Sequence, residues 1–187
     1  MAKIILLEDV NEKDIIKAVK DGKILIYPTD TIYGLGCDAL NTDSILKIRE
    51  MKDRDSEKPF SIIAPSKQWI SQNFEVNPVY IQKLPGPFTF ILKSKKSKIV
   101  SSHVAKDAQT LGVRIPDHPF TKMIQKAGKP FIATSVNLSG EKPITEISEV
   151  PKRILNQTDI IIDAGKLDGK PSTIIDLTSK IARIIPR

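Results

Sequence analysis

Three short stretches of this sequence carry polar side chains at spacings that suit the binding of a phosphorylated ligand. The segment MKDRDSEKP places Lys52, Arg54 and Lys58 within seven positions. Residues two apart on a helix point in different directions, so Lys52 and Arg54 can share a side only if the preceding helix has ended. Asp53 and Asp55 are compatible with such an ending, and equally with an ordinary charged loop neutralised by its own carboxylates. This segment alone leaves both interpretations open.

The other two stretches place hydroxyl, amide and guanidinium groups near the ends of apolar runs. In TSVNLSG, Ser135 and Asn137 share a side if the strand continues, and such groups suit phosphate, ribose or base edges. The alternative for this segment is a turn that satisfies its own backbone. In TLGVRIP, the period of two places Thr110 and Arg114 on one face. A buried unpaired charge is costly, so this arginine must find an anion or reach solvent.

A dinucleotide site is poorly supported, although Gly34, Gly36 and Ala39 match a G-x-G-x-x-A pattern. The strand before that pattern should run directly into the first glycine, but it stops at Pro28. Metal sites and nucleophile–histidine triads are also poorly supported, because the sequence has only two histidines and one cysteine. It also contains no P-loop motif for phosphate binding.

The elements that must position these side chains are apolar strands alternating with amphipathic helices. Strand-like runs that are apolar at nearly every position are typical of strands covered on both faces. The predicted fold is therefore an α/β sheet flanked by helices, with a ligand crevice at the strand ends. With 187 residues and 40% hydrophobic content, residues 1–187 are predicted to form a single domain. The runs are KILIY, FSIIA, FTFIL, TLGVRI, PFIAT, DIIID, STIIDL and ARIIP.

Charge and cysteine content narrow the class of protein. The net charge of +7 favours an anionic partner such as a nucleotide, an RNA or a phosphometabolite. The basic run KSKKSK, residues 93–98, has no interleaved aromatic residue, which favours a solvated loop over a specific RNA contact. A lone cysteine forms no internal disulfide, and the N-terminal apolar run is too short for a signal peptide or membrane span. We therefore expect a cytoplasmic protein with no membrane partner.

Taken together and in order, the motifs resemble one family. They are P-T-D-T-x-Y-G-L-G, K-x-R followed by K-P, G-P-F-T, G-V-R-I-P, S-x-N-x-S-G and P-S-T-I-I-D. This ordered set resembles the YrdC-like family of threonylcarbamoyl-adenylate synthases and extends from about residue 14 to residue 183. Val136 departs from the alanine usual in S-A-N, and Asp55 departs from the proline that often follows K-x-R.

The resemblance implies a strongly twisted mixed sheet and a nucleotidyltransferase that makes threonylcarbamoyl-AMP and pyrophosphate from L-threonine, bicarbonate and ATP. It implies Mg²⁺ carried in with ATP and no dedicated metal site. The TDT segment is expected to be extended, with the following glycines turning the chain away. The implied catalytic residues are Lys52, Arg54, Ser135 and Asn137. The implied ATP-binding residues are Arg54, Lys58, Thr110, Ser135, Pro143 and Arg183, and the implied threonine-binding residues are Thr31, Arg114, Ala133 and Ser172.

The expected partner beyond the substrates is a downstream tRNA threonylcarbamoyl transferase, and the sequence leaves open whether the protein contacts tRNA or double-stranded RNA directly. Two alternatives compete with the synthase. One is a module that binds double-stranded RNA or assists ribosome assembly, and the other is a related carbamoyl-adenylate enzyme with a different acceptor. An RNA module needs a surface of cations, whereas the synthase needs cations mixed with Thr, Ser and Asn inside one crevice. The motif set favours the synthase.

Overall fold

A mixed β-sheet runs through the centre of the molecule in the computed structural model, which describes residues 2–106 and 109–186. The strand order is β1-β9-β2-β3-β8-β4-β7-β6-β10-β11, and β5 pairs with the end of β6. Parallel pairs (β1 with β9, β2 with β9, β4 with β7, β6 with β10) mix with antiparallel ones. The strands are β1 (Lys3–Leu6), β2 (Leu25–Tyr27), β3 (Gly34–Gly36), β4 (Ser61–Ile63), β5 (Phe74–Glu75), β6 (Phe88–Ser94), β7 (Thr110–Arg114), β8 (Phe131–Ser135), β9 (Ile160–Asp163), β10 (Thr173–Asp176) and β11 (Arg183–Ile185).

Five of the six described α-helices begin at a side-chain cap, and the sixth begins after Pro151 without one. Asn41 caps α2 by accepting a hydrogen bond from the Ser44 amide at 3.0 Å. That helix ends at Met51, and two residues later Asp53 adopts a left-handed φ of 50°. The helices are α1 (Glu12–Lys20), α2 (Thr42–Met51), α3 (Lys67–Asn73), α4 (Pro78–Ile81), α5 (Pro119–Lys126) and α6 (Lys152–Leu155), with short 3-10 helices at Leu7–Asp9 and Ile147–Glu149.

Alternation along the strands divides the core into two clusters on opposite faces of the sheet. The larger cluster contains Ile26, Ile62 and Ile132 and packs against α2, α3, α4 and α6. The smaller cluster contains Ile63 and Phe131 and packs against α1 and α5. Helices α1 and α5 cover only part of that second face. The uncovered part lies over β3, β8, β4, β7, β6 and β10.

The structure confirms the α/β class and each strand-like run, and it corrects the interpretation of the glycine segment. Gly34 and Gly36 do not turn the chain away, because both lie in β3 between β2 and β8. A Cβ on Gly34 would meet the Tyr27 ring at 2.6 Å, so the glycine makes room for that aromatic side chain. Strands β1 and β5 also escaped prediction. No helix among the described residues is long and apolar enough to cross a membrane.

We predict that Gly36→Ala destabilises the protein more than Gly128→Ala. A Cβ on Gly36 would lie 2.0 Å from the Ile132 carbonyl oxygen, whereas Gly128 has positive φ but nothing within 4 Å. Overpacking costs about 1–3 kcal/mol and occasionally more, and a contact this short with backbone belongs at the upper end, against about 1–2 kcal/mol for a left-handed alanine alone. Thermal and urea unfolding of both variants measure the difference. Equal losses would mean that the close approach of β3 to β8 does not restrict this position.

Candidate active site

A cavity of about 490 Å³ occupies the uncovered part of the sheet. Its floor consists of small residues on neighbouring strands: Gly34, Ala133, Ser61 and Gly112. These residues lie side by side because of the strand register. Ser61 of β4 pairs with Ala133 of β8, and Gly34 of β3 pairs with Ser135, two residues further along the same face of β8. The cavity has the size of a pocket for a small ligand. These small floor residues leave room for a ligand above the sheet, with the Tyr27 ring lying over Gly34 and the Ser61 side chain beside Gly112.

The loop between β2 and β3 forms one wall and is a turn rather than an extended segment. The Thr29 hydroxyl accepts hydrogen bonds from the amides of Thr31 and Ile32 and donates to the Ile32 carbonyl at 2.7 Å. It also lies 2.9 Å from the Thr31 hydroxyl. Thr29, Ile32 and Tyr33 line the cavity, while Thr31 is buried behind them. The expected extended TDT segment is therefore wrong, because the Thr29 side chain closes a local turn.

Arg114 lies at the end of β7 and is held by an acidic partner from this loop. Its Nη2 donates to Asp30 Oδ1 at 2.8 Å and to the Thr31 hydroxyl at 3.3 Å. The other oxygen of Asp30 accepts from the Asp117 amide at 3.0 Å. Burial lowers the pKa of Arg114, and the nearby Asp30 partly offsets that effect. The Arg114 side chain lines the cavity, while its Nε is buried and has no hydrogen-bond partner among the described residues.

Lys52 does not line the cavity but fixes the loop that follows β8. Its side chain is 1% exposed, and its Nζ donates to the carbonyls of Ser135 (2.6 Å) and Asn137 and to Asn137 Oδ1 (3.1 Å). The Lys52 carbonyl in turn accepts from the Ser139 amide. Burial, followed by the neighbouring Arg54 charge, lowers the pKa of Lys52 to about 7. Three oxygen acceptors satisfy all three donors of the ammonium group.

The cationic rim of the cavity comes from the segment after α2. Arg54 donates from Nη2 to the Pro59 carbonyl at 2.7 Å and lies over the Phe60 ring, 5.0 Å from its centroid. Burial lowers the pKa of Arg54, helped by the nearby Arg49 charge. Lys58 lines the cavity beside it. Lys52 at the end of α2 points under the β8 loop, and Arg54, which follows the left-handed residue Asp53, points to the cavity.

Seven predicted site residues line this one cavity, and five do not. The seven are Arg54, Lys58, Thr110, Arg114, Ala133, Ser135 and Ser172. Of the others, Lys52, Asn137 and Thr31 lie behind the cavity wall, where they form the hydrogen bonds described above or, for Asn137, donate to the Glu141 carbonyl. Pro143 lies outside the wall in the loop after β8.

Arg183 also lies outside the cavity wall, for a reason that the strand register explains. Asp176 pairs with Ile91 on one side and with Arg183 on the other. Ile91 lines the cavity, so Arg183 projects from the same face two strands further on, about 10 Å away at ordinary strand spacing. The side chain is exposed there.

Sequence reasoning missed several residues of the site. Asp30 contacts Arg114 across 84 positions, and no local pattern reveals that pair. Thr89 lines the cavity with its hydroxyl 2.8 Å from that of Ser172. Thr89 is the last residue of the G-P-F-T motif, which could have identified it as a site residue.

Comparisons with known proteins agree with this geometry. The family model described as Telomere recombination, which unites Sua5, YciO and YrdC, matches residues 17–187. A Methanocaldococcus jannaschii protein is 38% identical, over 94% of this chain and 87% of its own. The threonylcarbamoyl-AMP synthase of Vibrio campbellii is 34% identical, over 92% of this chain and 98% of its own.

A solved structure shares both sequence and fold. P. abyssi Sua5 complexed with L-threonine is 28% identical and has a TM-score of 0.84, covering 98% of this chain and 56% of that one. This chain thus spans a little over half the length of that Sua5. The family model, the relatives and the structure confirm the resemblance inferred from the motifs. The chain belongs to the Sua5/YciO/YrdC family.

Proposed function

We propose that this protein makes L-threonylcarbamoyl-AMP and pyrophosphate from L-threonine, bicarbonate and ATP, as a nucleotidyltransferase. The observation that carries the proposal is a single cavity with cations at both ends and hydroxyl groups between them. Arg54 and Lys58 precede β4 and line the cavity toward the Thr110 end of β7, whereas Arg114 lies at the other end of β7. Thr110 and Arg114 are four residues apart in β7, about 13 Å at the rise of a strand. That distance separates a nucleotide end from an amino-acid end.

The amino-acid end would hold threonine by its carboxylate. Arg114 lines the cavity with its Nη2 already donating to Asp30 and Thr31, so a threonine carboxylate would accept from the guanidinium donors that remain or would take the place of one of these partners. Ala133 and Ser172 line the cavity close to this end and would contact the rest of the amino acid. The complex of the related P. abyssi Sua5 with L-threonine supports this choice of substrate.

The reaction would proceed in two bond-forming steps. The threonine amine nitrogen bonds to the carbon of bicarbonate with loss of water, which gives a carbamate. A carbamate oxygen then attacks the α-phosphorus of ATP, and the bond from that phosphorus to the pyrophosphate oxygen breaks. Arg54 and Lys58 would stabilise charge on the phosphates, and the Ser135 hydroxyl would help to align them. This chemistry needs no protein nucleophile.

Mg²⁺ is expected to enter with ATP. The described cavity wall contains no carboxylate, and the described residues hold no cluster of three or more His, Cys, Asp or Glu that could bind a metal. Phosphate oxygens of ATP, rather than protein side chains, would therefore hold the ion. Its chemistry would be to neutralise phosphate charge during the displacement.

The product would supply the threonylcarbamoyl group for tRNA threonylcarbamoyladenosine, which requires a downstream transferase. An RNA-binding role remains the alternative from another class. It is supported by the net charge and by exposed lysines between β6 and β7, where Lys95 and Lys96 lie. The buried, acid-paired Arg114 favours the synthase, because a surface that binds RNA phosphates has no need of an arginine buried against a carboxylate.

The first prediction from this proposal is that pyrophosphate release requires L-threonine, bicarbonate and ATP together. Each substrate contributes an atom to the bonds formed, so omission of any one should reduce release to background. The measurement is a coupled pyrophosphate assay, with mass spectrometry of the adenylate product. Equal release without threonine would contradict the proposed acceptor and favour a related carbamoyl-adenylate enzyme.

A second prediction concerns the nucleotide end. Arg54→Ala should weaken ATP binding at least tenfold, because loss of a charged hydrogen bond costs about 1.5–3 kcal/mol. Arg153→Ala is the matched control, since Arg153 also donates to a backbone carbonyl, that of Glu50, but does not line the cavity. Calorimetric titration with ATP and a thermal melt separate binding from folding. Unchanged ATP affinity in the Arg54 variant would remove this residue from the site.

The third prediction concerns the amino-acid end. Arg114→Lys keeps the charge but cannot offer a planar fork, so threonine affinity measured with ATP present should fall at least tenfold, roughly 1.4 kcal/mol or more. Arg153→Lys provides the same exchange away from the cavity. Matching threonine affinities in wild type and Arg114→Lys would take Arg114 out of the substrate site.

A further inference from the structure

The segment between β9 and β10, residues 164–172, crosses the outside of the β2–β3 loop and is called the strap below. Its N-terminal end is tied to that loop by Tyr33, whose hydroxyl donates to the Gly165 carbonyl at 2.7 Å and accepts from the Ala164 amide at 2.9 Å. At its C-terminal end, Ser172 enters the cavity and lies 2.8 Å from the Thr89 hydroxyl. The strap therefore connects two walls of the cavity.

Between these two attachments the strap lies directly against the backbone of Thr31. A Cβ built on Gly169 would lie 1.9 Å from the Thr31 carbonyl oxygen and 2.7 Å from its Cα. Real Cβ atoms do not approach backbone this closely, so only glycine fits at this position. The φ of Gly169 is not in the left-handed region, unlike that of Gly165 at 71°. The requirement for glycine here is thus one of contact and not of backbone conformation.

The contacted residue is one that the cavity depends on. The Thr31 hydroxyl accepts from Arg114 Nη2, and the neighbouring Asp30 holds the same guanidinium. A shift of the Thr31 backbone away from the strap would move both partners of Arg114 together. The nucleotide end, formed by Arg54 and Lys58, shares no hydrogen bond with the strap.

We propose that Gly169 is a positioning residue for amino-acid recognition, which acts by seating the strap on the Thr31 backbone so that Asp30 and Thr31 orient Arg114. This inference rests on the proposed function and adds a determinant outside the cavity wall. It predicts that one methyl group at position 169 impairs use of threonine selectively. The change touches neither substrate directly.

The test is steady-state pyrophosphate release by Gly169→Ala, with threonine and ATP varied separately. Because a displacement of about 1 Å in a site can cost up to a hundredfold, the KM for threonine should rise at least about tenfold while the KM for ATP stays within about twofold. Gly128→Ala is the control, because a Cβ there meets nothing within 4 Å. A structural defect alone would lower the amount of active enzyme and leave both KM values unchanged.

Tyr33→Phe provides a second test that adds no bulk. It removes the hydroxyl that ties the strap to the loop, and the same selective rise in the threonine KM is expected, including if Gly169→Ala fails to fold. Unchanged or equally raised KM values for both substrates in the folded variants would overturn the inference while leaving the proposed function intact. Wild-type release that does not depend on threonine would overturn both.

Discussion

The constraint on which the rest of this structure depends is that one face of the central strands must stay free of side-chain bulk. A Cβ on Gly112 would meet the Ser61 hydroxyl at 2.4 Å, and one on Gly34 would meet the Tyr27 ring. Helices α1 and α5 do not extend over these positions, so the small residues of the sheet form the floor of a cavity. The polar groups around this floor come from the strands, as with Thr89, Thr110 and Ser135, and from the segment after α2, as with Arg54 and Lys58.

The loops at the border of this floor are positioned by hydrogen bonds from two buried cationic side chains. Lys52 donates three hydrogen bonds to the loop after β8, and the Nη2 of Arg114 donates to the β2–β3 loop. Breaking a buried charged contact costs several kcal/mol, so each loop is held firmly in one arrangement. The two cations of the K-x-R motif thus have different roles: Lys52 fixes the loop after β8, and Arg54 lines the cavity. Such fixed positive groups are suited to stabilising charge on phosphates.

Much of this could be predicted from sequence, and the limits have physical causes. The strand-like runs could be predicted because a continuous apolar stretch is a local feature of the sequence. Strand β3 escaped prediction because two glycines lower strand propensity, and only the close approach of neighbouring strands requires them. The ordered motifs identified seven cavity residues, but the pair of Asp30 with Arg114 depends on long-range topology. The sequence also does not reveal that Lys52 faces the β8 loop, because its partners Ser135 and Asn137 lie more than 80 positions away.

The most direct measurement of the central claim is a crystal structure with a non-hydrolysable ATP analogue and L-threonine bound together. The account predicts both ligands over the floor formed by Gly34, Ser61, Gly112 and Ala133. The threonine carboxylate should contact Arg114, and the phosphates should lie toward Arg54 and Lys58. Electron density for either ligand outside this cavity, or threonine bound without contact to Arg114, would contradict the assignment of the open sheet face as the active site.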